Sequence, residues 1–226
     1  MLEASWLSLL QQQRVIAVLR YTHLKTGLKM AQAVADAGIE LLEVTWSSEQ
    51  PEALVTQLRT QLPHCTIGAG TILDQKQLES AIAAGAEFLF SPHLNLNLLQ
   101  SAIAASVPLI PGALTPTEIV TAWQAGASCI KVFPIQAMGG VNYLKNLRSP
   151  LPQISLIPTG GVTLENASDF INAGAIAVAL SGNLFPASLV ATGDWQTITK
   201  KAQFLRQQLT HTCSISVKTN KNKYNL

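Results

Sequence analysis

"ADAGIELLEVT", residues 35–45, closes one pattern and opens another. An Ala-rich run with helical spacing reaches Gly38, which supplies a left-handed helix stop, and an apolar strand begins directly after it. The same junction returns as "IAAGAEFL" (82–89), "WQAGASCI" (123–130) and "INAGAIAV" (171–178). Each pairs Ala-Gly with a following strand. The recurrence is a weak internal repeat, and its unit is βα.

Outward from these junctions, eight β-rich runs alternate with helical stretches such as "LKTGLKMAQAVADAG" and "TPTEIVTAWQAG". The runs are "VIAVLR" (15–20), "LLEVTW" (41–46), "CTIGAGTI" (65–72), "EFLFSP" (87–92), "PLIPGAL" (108–114), "CIKVFP" (129–134), "ISLIPTG" (154–160) and "AVALSG" (177–182). Strands this continuously apolar belong to a parallel sheet covered on both faces. The prediction is an α/β fold, a single (β/α)8 TIM barrel, with an extra N-terminal helix over about residues 2–13 lying across its bottom. An open doubly wound sheet is the competitor. It needs a Gly-rich loop after the first strand, and "VLRYTH" is not one. The domain is expected to span 1–210. The polar end 211–226, "HTCSISVKTNKNKYNL", has little helical pattern and reads as a loose tail.

Composition narrows the function. The 226 residues are 48% apolar and 12% charged, enough for a core with both sheet faces covered and a weakly charged exterior that hints at subunit contacts. A formal net charge of +2, with no basic stripe interleaved with aromatics, argues against nucleic acid. Cys65, Cys129 and Cys213 lack metal-like spacing and fit a reducing cytoplasm. No run approaches the ~20 apolar residues of a membrane span, and the first residues do not form a signal peptide.

In a barrel, chemistry sits at the C-terminal ends of the strands. That rule selects Arg20, Glu43, Thr45, Thr71, Lys131, Thr159, Gly160, Gly161, Ser181 and Gly182. Lys131 stands out, because Ile130, Val132 and Phe133 around it read as strand filling. An unpaired buried ammonium is costly, and burial favours the neutral amine. Alternation places Leu41, Glu43 and Thr45 on one side of their strand and Lys131 and Phe133 on one side of theirs. If both sets face inward, an amine and a carboxylate meet in the barrel mouth. The plain alternative is a structural ion pair, although such a pair is often no better than apolar packing. The chemical alternative is a Schiff base: the amine attacks a ketone, the iminium accepts electrons from a breaking carbon–carbon bond, and Glu43 moves the protons. "PTGG" and "LSGN" look like anion seats, where glycines let backbone N–H groups approach a phosphate or carboxylate. The four histidines are scattered, so no metal site is expected.

Those residues lie in blocks that resemble the class I aldolases of 2-keto-3-deoxy-6-phosphogluconate and 4-hydroxy-2-oxoglutarate. "VIAVLR", "LLEVT", "IGAGTIL", "FLFSP", "PLIPGALTPTEI", "IKVFPIQAMGG" and "IPTGGVTLEN" fall in the family's order along roughly residues 10–205. The resemblance implies a barrel, a homotrimer, and no metal or organic cofactor. It implies Lys131 as the Schiff-base lysine and Glu43 as acid/base. Thr71 and Arg20 would hold the carboxylate end of pyruvate, Pro92 and Phe133 would line the pocket, and Gly160, Gly161, Ser181 and Gly182 would bind phosphate. The activity implied is cleavage of a 2-keto-4-hydroxy acid to pyruvate and an aldehyde such as glyceraldehyde 3-phosphate. The 6-phosphogalactonate analogue and the unphosphorylated 4-hydroxy-2-oxoglutarate are alternative substrates. A metabolite-binding barrel and a phosphosugar isomerase are the rivals from other classes. The chain departs from the family pattern at Ser47, where an arginine is frequent, and at His93, Gln136 and Asn183.

Overall fold

The computed structural model describes residues 3–219. Helix α1 (Glu3–Gln13) leads into β1 (Val15–Leu19), and βα units follow: α2 (Leu24–Ala35), β2 (Leu41–Thr45), α3 (Pro51–Gln61), β3 (Thr66–Gly70), α4 (Gln75–Ala83), β4 (Leu89–Phe90) and α5 (Leu96–Ala104). Then come β5 (Leu109–Ile110), β6 (Gly112–Ala113), α6 (Pro116–Gln124), β7 (Ile130–Val132), a 3-10 turn (Ile135–Met138) and α7 (Val141–Arg148). The last elements are β8 (Leu156–Pro158), α8 (Ala167–Asn172), β9 (Val178–Leu180), α9 (Ala187–Thr192) and α10 (Trp195–Thr219).

The result is an α/β fold on a curled parallel sheet. One sheet has the order β5-β4-β3-β2-β1-β9 and the other β6-β7-β8. The fifth run of the sequence is split in two by Pro111, which has no N–H to give to a neighbouring strand. Its carbonyl still accepts from Lys131 N at 3.0 Å, so the chain stays in register with β7.

Alternation along each strand sorts the side chains into two layers. Val15, Ala17, Leu19, Leu42, Val44, Ile130 and Val132 pack outward with the helices. Ile16, Val18, Leu41, Phe88, Phe90, Ile110, Cys129 and Ile157 form a second, inner cluster. Helix α1 closes this inner layer at the strands' N-terminal ends with Trp6 and Leu10, both fully buried. Trp6 stacks on Phe88 at 5.0 Å, and Phe88 meets Phe90 edge-on at 5.9 Å.

The repeated junction behaves as its sequence implies: Gly38, Gly85, Gly126 and Gly174 all have φ between 82° and 102°. Helix starts are equally local. Asp74 caps α4 through Gln77 N, and Thr115 with Glu118 forms a reciprocal capping box at α6, behind Pro116. The loose tail expected from residue 211 is corrected in part. Helix α10 runs through that position to Thr219, because "LTHTCSISVKT" contains neither Gly nor Pro to stop a helix already anchored by Ile198, Ala202, Leu205 and Leu209. The remainder of the tail, 220–226, lies outside the described residues.

Candidate active site

A cavity of about 450 Å³ opens at the C-terminal ends of the strands. Its walls contain eleven of the twelve side chains and glycines singled out from the sequence: Arg20, Glu43, Thr71, Pro92, Lys131, Phe133, Thr159, Gly160, Gly161, Ser181 and Gly182. The strands explain the convergence. Registers Glu43↔Gly68 and Thr45↔Gly70 join β2 to β3, and Gly112↔Lys131 and Lys131↔Ile157 join β7 to its two neighbours. Every one of these strands delivers an inward-facing residue at a similar height.

Glu43 lies on the inner face and is 1% exposed. It needs a missing side chain on the next strand, since a Cβ on Gly70 would stand 1.7 Å from its Oε1. Burial pushes the Glu43 carboxyl above the usual range, and the charges of Lys131 and then Arg20 act against that rise. Its Oε2 is buried with no hydrogen-bond partner among the described residues. A carboxyl held in this way keeps its proton to a higher pH than an exposed one and can serve as both donor and acceptor.

Lys131 is 6% exposed. Its Nζ lies 5.0 Å from the centroid of Phe133 and 5.6 Å from that of Phe90. The aromatic faces hold the amine in an apolar seat beside the carboxyl.

The mouth is organised by loops. Arg20, at the end of β1, donates from Nη1 to Ser47 Oγ at 3.1 Å. The 46–50 loop is further tied to the 21–24 loop by Tyr21 N to Ser48 Oγ (3.3 Å) and Leu24 N to Glu49 Oε2 (3.1 Å). On the far side, Leu164 N donates to Asn183 Oδ1 at 2.8 Å, joining the loops after β8 and β9. Gly160 and Gly161 have φ of 81° and 98°. Packing also demands the second, because its Cβ would meet Gln136 Cβ at 2.2 Å. Gly182 differs: a Cβ there would meet nothing within 4 Å, so its backbone faces open space.

One expectation needs correction. Thr45 has the inward parity predicted but does not line the cavity; it is fully buried, and its hydroxyl pairs with Ser48 Oγ at 2.7 Å. Trp46, the next residue, packs in the outer layer. Neither glycine turn runs straight into a helix, since α8 and α9 are only six residues long and start at Ala167 and Ala187. Sequence reading also missed Val18, Val162, Thr163 and Ala179 as lining residues. Parity alone would have found Val18 and Ala179, two residues before Arg20 and Ser181. Asn183 stood out as a departure from the family pattern, but nothing local indicated its bond across to Leu164.

Among the described residues, no helix is long and apolar enough to cross a membrane, and no group of three or more His, Cys, Asp or Glu could hold a metal ion.

Known proteins share this architecture. A family model described as KDPG and KHG aldolase matches residues 7–201. The KHG/KDPG aldolase of Escherichia coli (strain K12) is 33% identical over 196 residues, 87% of this chain and 92% of its own length. A crystal structure of KDPG aldolase from Legionella pneumophila, with pyruvate captured at low pH as a covalent carbinolamine intermediate, superposes with a TM-score of 0.82 at 28% identity. The match covers 88% of this chain and 97% of that one. A cube-shaped protein cage designed by fusing symmetric oligomeric domains gives a TM-score of 0.83 at 27% identity, over 93% of this chain and 77% of that one.

Proposed function

Since the chain belongs to the KDPG and KHG aldolase family, we propose that it is a class I aldolase, a carbon–carbon lyase that cleaves a 2-keto-4-hydroxy acid to pyruvate and an aldehyde through a Schiff base on Lys131. The observation that carries this reading is the juxtaposition of a buried amine and a buried carboxyl of raised pKa in one cavity at the strands' C-terminal ends.

The steps follow from those two groups. Nζ of Lys131 attacks the C2 carbonyl, the carbonyl oxygen takes up a proton, and a carbinolamine forms. Loss of water gives the iminium. Glu43 removes the proton from the C4 hydroxyl, the C3–C4 bond breaks, and its electron pair moves through C2 onto the iminium nitrogen. The aldehyde leaves and an enamine remains. Protonation at C3 by Glu43 restores the iminium, and water hydrolyses it to pyruvate and free Lys131. The raised pKa suits Glu43 to both directions of proton transfer. Phe90 and Phe133 keep the seat of the amine apolar.

Arg20 and Thr71 hold the carboxylate of the pyruvate portion. Gly160, Gly161, Ser181 and Gly182 seat the far end, which we assign as a phosphate in 2-keto-3-deoxy-6-phosphogluconate. Thr159, Pro92 and Phe133 shape the walls. Thr45 supports the site from behind, through Ser48. The two sheets are read as one closed (β/α)8 barrel with α1 across its base. Support comes from the single proline separating β5 from β6, and from the parallel bridge Thr159↔Ala179 between the β8 edge and β9. We take residues 1–210 as this one domain. We assign a homotrimer, in keeping with the exposed Leu73, Leu96 and Met138 and the oligomeric domains of the related cage. A cytoplasmic setting accords with the buried thiols of Cys65 and Cys129.

Borohydride reduction in the presence of pyruvate tests the mechanism. The expected product is one pyruvyl adduct mapped to Lys131, absent from Lys131→Arg. An unlabelled wild-type Lys131 removes the mechanism. The substrate assignment is tested with Gly182→Asp, which the open space around Gly182 accommodates. Its kcat/KM should fall at least about tenfold for the phosphorylated keto acid and little for 4-hydroxy-2-oxoglutarate. An equal fall for both places the phosphate elsewhere.

A further inference from the structure

The loops after β8 and β9 meet at one end of the cavity, and neither stretch, 159–164 or 181–184, holds a charged residue. Carbonyl oxygens there are already engaged within the loops. Gly160 O accepts from Gln136 N at 3.1 Å, and Gly161 O accepts from Asn166 Nδ2 at 3.1 Å. Ser181 O accepts from Leu184 N and Phe185 N, both at 2.9 Å. Arg20 is bonded to Ser47, on the β2 side of the mouth. An anion seated between these two loops is therefore met by neutral donors.

Asn183 is a wall of this end, and its amide has a fixed direction. A backbone N–H can only donate, so the atom it meets must be the amide oxygen. Leu164 N donates to Oδ1 at 2.8 Å. That leaves Nδ2, with two N–H groups and no hydrogen-bond partner among the described residues, on the other arm of the amide. A tie between loops needs only the oxygen. Gly182, next in the chain, has no side chain, and a Cβ there would meet nothing within 4 Å. The Ser181 hydroxyl and the Asn183 amide flank that open position.

We infer that Asn183 is a specificity-determining residue of the site: its Nδ2 donates to a phosphoryl oxygen of the substrate, across the space that Gly182 leaves open. The inference rests on the aldolase reading and on its placement of the phosphate. It adds a side-chain donor to a seat otherwise made of backbone and the Ser181 hydroxyl. Because Leu164 already orders the amide, binding the phosphate immobilises no further side chain there.

The experiment compares two acceptors in the bond-forming direction, with pyruvate as donor. One is glyceraldehyde 3-phosphate; the other is glyceraldehyde, which differs only in lacking the phosphate. Within each sample the ratio of the two kcat/KM values reads the grip on the phosphate, and partial unfolding cancels from it. Asn183→Asp keeps an oxygen for Leu164 N and replaces the N–H donors with an anion. Asn183→Ala removes both. The ratio should fall about tenfold in Asn183→Ala, the worth of one hydrogen bond to a charged group, and further in Asn183→Asp, where like charges meet. Inhibition by inorganic phosphate should weaken in the same order. A ratio that falls in Asn183→Ala and holds in Asn183→Asp assigns the residue to the loop tie and overturns the donor. So does a ratio unchanged in both. Borohydride trapping of pyruvate on the same samples separates the levels. Intact trapping with an unchanged ratio refutes the Asn183 donor alone. A wild-type ratio near one refutes the phosphate seat beneath it, and absent trapping refutes the aldolase reading.

Discussion

Gly70→Ala isolates the placement of Glu43 from its chemistry. Gly70 is on the inner face of β3 with an ordinary strand φ, so alanine meets no backbone strain there. The added methyl would stand 1.7 Å from Glu43 Oε1 and 2.4 Å from its Cδ, whereas ordinary contact begins at 3.4 Å. The carboxyl must therefore retreat by about 1.7 Å. A misplacement of about 1 Å costs roughly 10²-fold, and a general acid–base contributes roughly 10²–10⁴-fold. The expected fall in kcat is accordingly about 10²–10³. Stability should change far less: overpacking costs about 1–3 kcal/mol, and removing the unfolded-state freedom of a glycine returns about 0.4–1 kcal/mol. Pyruvate release, followed by coupling to lactate dehydrogenase, reads kcat and KM, and thermal unfolding reads stability. Gly68→Ala is the matched comparison. Its methyl would strike Phe88, 2.3 Å away, in the apolar layer below, so it should lower the unfolding temperature with kcat largely retained. A folded Gly70→Ala enzyme with wild-type kcat would refute the assignment of Glu43 as the proton carrier.

Ser47→Ala removes the group that holds the Arg20 guanidinium, and should raise the KM for pyruvate in the bond-forming direction about three- to tenfold, the worth of one positioning hydrogen bond; Ser47→Thr should restore it, and an unchanged KM in Ser47→Ala denies Arg20 its grip on the carboxylate. The carboxyl of Glu43 is raised by burial, so the acidic limb of the kcat profile should lie above the ordinary carboxylate range and disappear, with most of the activity, in Glu43→Gln. The stability sign follows from the same shift. A folded pKa above the unfolded one contributes stability at low pH that is lost as pH rises through the folded value, when the buried carboxyl must ionise. Glu43→Gln should therefore unfold at a higher temperature than wild type at neutral pH; a destabilised Gln variant contradicts the burial cost.

The sequence carried most of the fold because its signals are local. A glycine stop after an Ala-rich helix and an apolar run after the stop require no knowledge of distant partners, and the same holds for the Thr115–Glu118 capping box. Parity carried most of the site, because a strand ending fixes which residue faces inward. It made an inner face shared by Glu43 and Lys131 one of the two choices, the one the structure shows, and, followed two residues back, contained Val18 and Ala179 as well. It failed at Thr45, where parity is right but the hydroxyl is taken by Ser48, three residues along a loop whose path no strand rule describes. It was silent on Asn183 for the same reason, since its partner is 19 residues away in another loop. The split at Pro111 could have been read from the residue itself, although the expected run 108–114 passes through it, and the helix across 211–219 could not, because propagation from an anchored helix outweighs weak local propensity.

Stability and chemistry are separated along the strand axis. Towards the strands' N-terminal ends the inner layer is filled by Trp6, Leu10, Phe88 and Phe90, whose one polar group, the indole N–H of Trp6, is buried without a hydrogen-bond partner among the described residues. Towards the C-terminal ends the same face carries Glu43, Lys131, Thr159 and Ser181, with Gly70 where a side chain would close the space. Phe90 belongs to both layers, packing on Phe88 below and standing 5.6 Å from Lys131 Nζ above. The apolar plug offsets the cost of holding an unpaired carboxyl oxygen and an amine out of water, which the upper layer alone could not sustain. It also explains why Ser47, His93, Gln136 and Asn183, where the sequence reading expects departures from the family pattern, lie outside what fixes the reacting pair. Those positions are set by loop contacts, whereas Glu43 and Lys131 are set by strand register and by what the plug leaves open above it.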